Sequence, residues 1–532
     1  MGGGKEMKKF VVVGLIGLMV MALSATVCAQ PKLDFKASGF MDAVSFWYRN
    51  VTSGATGDAI TSRWPGGGFP VPTGSPAGTG FRPNDPFVDP RDSGAWDRTN
   101  SYMEYRGILK FDATMGKELS GTVIFEMDSS RWGDPAGDRN RLGFWTADRA
   151  GVEVKNLYMD FALPYIGIPV PITTRVGIQP LGVRPHIFLY VDGAGITGSI
   201  KIDPVTIGLQ WAKAVEGRDA TADDVDVYGM SINAKLGKIT PGIYVFNLNM
   251  NQYPLQTSGA QYGTTSNNDA NFWWLGAYLD GRLGPVDLKF DFVYDYGKVE
   301  RRGNVPLALG VPNKVKYRGW VTQLKVDFPW EKFNFGGLGM YASGADLRKT
   351  SRRGLPGEAV ADGPGFSNKV GSYVVPPGSD EYSTWGESMF LGSNFITSTA
   401  ASLGMFPSTQ TYSDYVTRGT IGGTWVGKLY ASMKATSWYK VTLQGLYIGD
   451  TTKHGNTLGD AVKLSGRLRD DKTIGWELDL INEIQIYNNL KWSIGTGLLF
   501  AGDALDQRVA ATNRNESPKT PWIVATKLRY EF

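Results

Sequence analysis

Along most of this chain apolar and polar residues alternate one by one, in segments separated by breaks rich in Gly, Pro, Ser and Asn. Leu33, Phe35, Ala37, Gly39, Met41 and Ala43 alternate with Asp34, Lys36, Ser38 and Asp42. Met103, Tyr105, Leu109 and Phe111 alternate with Glu104, Arg106, Lys110 and Asp112. Leu119, Val123, Phe125 and Met127 alternate with Ser120, Thr122, Glu126 and Asp128. Leu288, Phe290, Phe292, Tyr294 and Tyr296 stand against Asp287, Lys289, Asp291 and Asp295, and Trp476, Leu478 and Leu480 against Glu477 and Asp479. Successive side chains of a strand point to opposite faces, so each segment becomes a ribbon with one oily and one charged side.

Such ribbons fit a soluble sandwich or a closed membrane barrel. In a sandwich the aromatic residues would collect in the core. Here Tyr294, Tyr296, Trp320, Phe328, Trp425, Trp522 and Tyr530 sit toward the ends of apolar rows, where a barrel carries its interfacial girdles. After the first 29 residues no apolar run is long enough for a transmembrane helix. A closed barrel is the remaining fold that satisfies every backbone group in lipid. The predicted class is all-β, a transmembrane antiparallel β-barrel.

Connection lengths predict the strand count. Short turns are expected at Met115–Glu118, Leu163–Pro171, Ile202–Pro204, Leu236–Pro241, Arg282–Asp287, Asp327–Phe333, Ala435–Lys440 and Ile486–Lys491. Between them lie longer polar stretches near 49–99, 130–150, 181–192, 216–225, 251–270, 300–315, 347–416, 450–470 and 503–518. Eight turns and nine loops make eighteen strands, or sixteen if the weak hairpin at 193–215 is not one. Short turns then face the periplasm and long loops the exterior. Stretches 49–99 and 347–416 are long for a compact fold. Each either folds into the barrel mouth and narrows it, or caps it from outside.

The N-terminus adds an export reading. Lys5, Lys8 and Lys9 precede an apolar run from Phe10 to Leu23 and the small residues before Gln30. This is the pattern of a secretory signal peptide over residues 1–29, cleaved after Ala29, with 30–532 forming the barrel. Translation from Met1 or from Met7 serves equally. Lipidation of Cys28 is the other reading, but Val27 precedes it where a small residue is expected. Cleavage removes the only cysteine, which excludes a disulfide scaffold or thiolate metal site. With 55 basic and 51 acidic residues the chain lacks the strong positive charge of a nucleic-acid binder.

The last residues, Trp522 to Phe532, form an alternating strand ending in Tyr530-x-Phe532. This ending resembles the terminal signature of outer-membrane barrels, which implies recognition by the barrel-assembly machinery. Several stretches resemble the outer-membrane homotrimeric porins of sulfate-reducing bacteria and their relatives. They are LDFKASGFMDA at 33–43, ELSGTVIFEMDSSRWGD at 118–134, VEVKNLYMDFALP with TTRVGIQPL between 152 and 182, and GTWVGKLYASMKAT, LQGLYIGDTTKHGN and LRDDKTIGWELDLINEIQIYNNLKWSIGTGLLFAGDALD between 423 and 506. The similarity spans about the first third and last quarter of the chain and leaves 240–415 unmatched. It implies a homotrimer of passive channels in outer-membrane lipid and lipopolysaccharide. The acid-box motif of the enterobacterial general porins is absent, so no eyelet residues carry over.

In a barrel of this size the charged faces enclose water. Arg106, Lys110, Asp112, Glu126, Asp128, Asn156, Asp160, Arg175, Gln179, Asp287, Lys289 and Asp291 are therefore candidate pore-lining residues. Salt-bridge ladders stiffening the wall are the competing role for each. Both signs occur in similar numbers, so fixed charge predicts weak ion preference. Arg184 and His186, in LGVRPHIFLY, would stand near a constriction if their loop bends inward; a solvated or interface loop is the plainer expectation. Two histidines are too few for most catalytic schemes, and His454 near Asp450 reads as an ordinary loop histidine. Asp85, Asp89, Asp92 and Asp97 lack calcium-loop spacing. No catalytic residue, cofactor or metal site is predicted. The expected function is passive diffusion of small hydrophilic solutes and ions, with a substrate-selective sugar or anion channel, or a structural surface barrel, as alternatives.

Overall fold

The computed structural model describes residues 33–51, 98–133, 141–143, 151–163, 172–217, 223–255, 268–302, 310–351, 353–379, 386–391, 416–509 and 514–532. The expected signal peptide, Asp85 to Asp97, and loop 49–99 apart from its two ends lie outside them. Eighteen antiparallel strands form one closed barrel. In chain order they are β1 (Leu33–Val51), β2 (Arg98–Met115), β3 (Leu119–Trp132), β4 (Glu153–Leu163), β5 (Ile172–Val183), β6 (Leu189–Ile202), β7 (Val205–Val215), β8 (Val225–Ala234) and β9 (Ile239–Tyr253). They continue as β10 (Asn268–Leu283), β11 (Val286–Arg301), β12 (Lys314–Trp330), β13 (Phe333–Ala342), β14 (Thr424–Lys434), β15 (Tyr439–Asp450), β16 (Thr473–Tyr487), β17 (Leu490–Ala501) and β18 (Trp522–Glu531).

Each strand pairs with the next, and β18 returns to β1 from Phe40↔Glu531 to Arg49↔Trp522. That closure leaves no sheet edge in lipid. The hairpin at 193–215 is real: β6 and β7 pair from Ile202↔Val205 to Ala194↔Lys213. Two turns need a left-handed residue and use Gly116 (φ 65°) and Gly284 (φ 60°), where a side chain would be strained.

The alternation predicts which face meets lipid. On β12 the outward row is Trp320, Thr322, Leu324, Val326, Phe328 and Trp330, while Val315, Tyr317, Gly319, Val321 and Gln323 are buried behind it. Trp320 to Phe328 spans roughly 26 Å along the strand at about 3.3 Å per residue, enough to cross a hydrocarbon core when tilted. Aromatic rings bound this band. On the loop side Trp320 stacks on Tyr341 (5.0 Å), and Tyr447 contacts Trp425 (4.9 Å) and Trp476 (4.7 Å). On the turn side Phe333 stacks on Phe335 (6.0 Å) and Tyr530 on Phe532 (5.5 Å).

The girdles are not the whole aromatic story. Phe46, Phe188, Phe246, Phe272, Trp274, Tyr317 and Tyr373 are fully buried inside the barrel. They gather there because the described parts of the connection between β13 and β14 fold into the lumen. Of the two roles open to stretch 347–416, these parts take the inward one. Trp274 Nε1 donates to the Val374 carbonyl (2.8 Å), and Tyr373 Oη donates to the Ile187 carbonyl (2.7 Å). A short strand of this connection, Lys369–Val370, runs parallel to β12.

Candidate functional site

The inward rows change character halfway up the barrel. On β11, Asp287 and Lys289 stand near the turn; Asp291, Val293, Asp295 and Val299 follow toward the loops and are buried. On β18, Arg529 gives way to Ala525 and Ile523, both buried. The turn half is ionic and half-exposed, the loop half apolar and packed. Between them lies a layer of ion pairs.

Along β2 to β6 this layer joins several sequence-predicted residues into one network. Arg106 Nε donates to Glu126 (2.7 Å), which also accepts from Lys155 (2.6 Å). Lys155 lies 3.1 Å from Asp192, whose carboxylate accepts from Asn156 (2.9 Å). Gln179 donates to the Gly195 carbonyl (2.8 Å) and accepts from Thr197 (2.9 Å). Nearer the turns, Lys110 pairs with Asp112 (2.9 Å), itself bonded to Thr122 (2.6 Å). Arg175 forks onto Asp160 (2.6 and 2.9 Å) and lies 4.0 Å over the Tyr158 ring. The seam adds Arg529 on Asp42 (2.6 Å). The Asp128 side chain lies outside the described residues.

Glu126, Asn156, Gln179 and Asp291 thus stand inside hydrogen-bond networks, at 3%, 1%, 1% and 1% exposure, rather than against open water. Charges on neighbouring strands are near enough to pair, and a desolvated charge requires that. Lys110, Asp112, Asp160 and Arg175 keep a quarter or more of their side-chain surface exposed. Asp287 and Lys289, with Arg282 and Asp327, border a cleft of about 360 Å³ at the turn end, where Arg282 pairs with Asp287 (2.7 Å).

Arg184 and His186 differ from the plainer expectation of a solvated loop. The connection is only Arg184–Phe188, because β5 and β6 run on to Val183 and back from Leu189. It bends inward. Arg184, at φ 51°, forks between Asp291 and Asp280 (2.9 and 3.0 Å) with its guanidinium 4.5 Å above Tyr278. His186 Nε2 lies 3.1 Å from Asp291. Ile187, Phe188 and Leu189 drive the bend: all are buried, Phe188 stacking on Tyr244 at 5.3 Å.

The residues that hold the long connection in place were not singled out from the sequence. Glu387 accepts from Lys325 (2.6 Å) on β12 and Lys428 (2.8 Å) on β14. Glu477 on β16 accepts from Ser388 Oγ (2.6 Å) and the Met389 amide (2.5 Å), while Gln444 donates to the adjacent Asp479 (2.7 Å). Asp295 accepts from the amides of Gly319 (2.9 Å) and Val374 (3.2 Å). Two strand glycines let this backbone reach the wall. A Cβ on Gly319 would lie 2.3 Å from the Ser372 carbonyl oxygen, and one on Gly497 would lie 2.9 Å from Met389 Cβ. A glycine inside a strand is a sign of close backbone approach, and these two were the available signal.

Among the described residues no group of histidine, cysteine, aspartate and glutamate could hold a metal ion. At the C-terminus the Gly39 amide donates to the Phe532 carbonyl (2.9 Å), and Tyr530 and Phe532 both face outward.

An apolar outer belt, two girdles, full closure and a layer of ion pairs inside define a membrane-spanning β-barrel. Solved Pseudomonas aeruginosa proteins are similar to it at low identity. OccK8 (OprE) is 10% identical, with 94% of this chain and 98% of that one covered at a TM-score of 0.44. The outer membrane protein OpdK is 8% identical over 93% and 98% at 0.45, and OpdQ is 10% identical over 93% and 98% at 0.45. No protein-family model matches the sequence, and neither does any curated protein.

Proposed function

We propose that this barrel is an outer-membrane channel for small hydrophilic solutes, selective for what can cross the ionic layer at its middle. The observation that carries this reading is the seating of Glu387–Leu391 inside the barrel, clamped by Lys325, Lys428 and Glu477. An unobstructed barrel of this strand number would be wide and indifferent to solute chemistry. An inserted segment brings donors and acceptors of both signs within reach of a passing molecule. The both-signed, half-exposed turn half also favours simple ionic diffusion, so weak cation–anion preference belongs to the same proposal.

The proposal includes export by the segment 1–29 with cleavage after Ala29, recognition of Tyr530 and Phe532 by the assembly machinery, and the homotrimer implied by the porin resemblance. Purified protein in a planar bilayer tests the channel. Discrete ohmic steps that candidate sugars or organic anions block saturably are expected. Large steps indifferent to every solute return the reading to a general porin, and no conductance leaves a structural barrel.

A further inference from the structure

The outward rows of β11 and β12 do not end at the loop-side girdle. Register sets Tyr294 opposite Trp320, and then, moving toward the loops, Tyr296 opposite Arg318, Lys298 opposite Lys316 and Glu300 opposite Lys314. β13 stops at Ala342, opposite Val321, so β12 beyond that point has no barrel neighbour on this side. The inserted connection fills the edge with its short strand and sets Lys369 opposite Lys316. Lys298, Lys316, Arg318 and Lys369 are exposed, and Lys314 partly so.

Five cations therefore gather around Glu300, while Asp269, opposite Glu300 on β10, is taken by Arg302 (2.7 Å). Glu300 accepts from Lys298 (2.6 Å) and Lys314 (2.7 Å). Among the described residues no carboxylate pairs with Lys316, Arg318 or Lys369. Arg318 lies 5.5 Å over the Tyr296 ring. Lys316 stands opposite lysines on both neighbours. Like charges directly opposite on a sheet are destabilising. An open groove of about 490 Å³ runs between them, bordered also by Asn313 and Asn368.

The position limits the ligand. The groove is on the outer wall, so a solute inside the lumen cannot reach it. It begins one residue pair above Trp320, where the apolar belt ends, so its occupant has acyl chains on the belt and anionic groups just above. The geometry points to a binding site for a phosphorylated glycolipid headgroup of the outer leaflet. Arg318, Lys316 and Lys369 take the phosphates, and Asn313 and Asn368 meet sugar hydroxyls. This rests on the reading that the long loops face outward from an outer membrane.

The test compares wild-type protein, the triple variant Lys316→Gln/Arg318→Gln/Lys369→Gln, and Lys463→Gln, an exposed loop lysine elsewhere. Each is folded in detergent, stripped of lipid and titrated with purified lipid A, with phosphatidylglycerol micelles and with inorganic pyrophosphate. Heat-modifiable gel migration shows that every variant forms the barrel. Lipid A is expected to bind wild type and Lys463→Gln alike, and to bind the triple variant at least about tenfold more weakly, since each cation near an anionic headgroup adds affinity. Equal lipid A binding by the triple variant overturns the site. Phosphatidylglycerol binding wild type as tightly as lipid A overturns the glycolipid assignment. So does a changed oligomer with unchanged lipid binding, which assigns the patch to a subunit contact. Bilayer conductance of the same samples keeps the two proposals apart: a conducting triple variant that binds lipid A normally sinks only this one.

Discussion

The two halves of the barrel interior are built from the same strands by opposite rules. In the turn half, Lys110 pairs with Asp112 along one strand, and Arg175 with Asp160 and Arg282 with Asp287 across neighbouring strands, all keeping contact with solvent. In the loop half, Phe46, Phe246, Phe272, Trp274 and Tyr317 are fully buried, and the inserted connection packs against the Trp274 side of that interior. The first half needs nothing but the wall to define it. The second depends on a segment far away in sequence, and on a few buried polar groups that hold it. What the difference teaches is where the proposed permeation would be decided: an exposed ion pair adds little to stability and leaves solvent in place, whereas a desolvated clamp fixes backbone inside the barrel.

Replacing residues 344–422 with a short Gly-Ser connection is the severest challenge to the contrast. Single-channel conductance should rise several-fold, and saturable block should vanish; unchanged conductance would mean the connection does not limit the path. Trp274→Ala removes a fully buried indole and its bond to Val374, so the barrel should lose about 3–5 kcal/mol in urea unfolding from micelles. Lys428→Met leaves Glu387 with Lys325 alone, and loosening of the seated segment by about 3 kcal/mol should appear as open-channel noise. Arg175→Ala, in the turn half, should leave unfolding within about 0.5 kcal/mol of wild type and move only the reversal potential in a salt gradient.

Another small effect is at the rim. Burial works against the Asp346 carboxylate, but hydrogen bonds from His454, the Arg348 amide and Lys349 outweigh it and hold its pKa below the ordinary 3.8. A depressed carboxyl pKa contributes stability that is present above the unfolded value and lost as pH falls through the folded one. This contact should therefore persist at neutral and mildly acidic pH and fail only below about pH 4. His454→Ala should cost at most about 1 kcal/mol, read by proteolysis of the loops.

Legibility in the sequence follows the same division. The wall was readable because period-two alternation is local: Phe290, Phe292 and Asp291 fall on the faces their spacing assigns. The short turns expected at Met115–Glu118 and Arg282–Asp287 hold Gly116 and Gly284, both left-handed. The mid-barrel clamps were not readable. Glu387 and Ser388 sit in a stretch without periodicity, and their partners Lys428 and Glu477 lie 41 and 89 residues further on. Glu477 and Asp479 were visible as a charged face but looked like any other wall charges. Of the two readings of Arg184, the inward one rests on the apolar run Ile187-Phe188-Leu189 beside it, which is buried and pulls the loop in.

The central claim is that solutes pass through the ionic interior and not around the barrel. With Cys28 in the expected signal peptide, a single introduced cysteine can report on this directly. Arg175→Cys, reacted with a charged thiosulfonate during bilayer recording, should lower the current in discrete steps, while Leu443→Cys on the lipid face should not respond. Steady current through a fully modified Arg175→Cys channel would contradict the account.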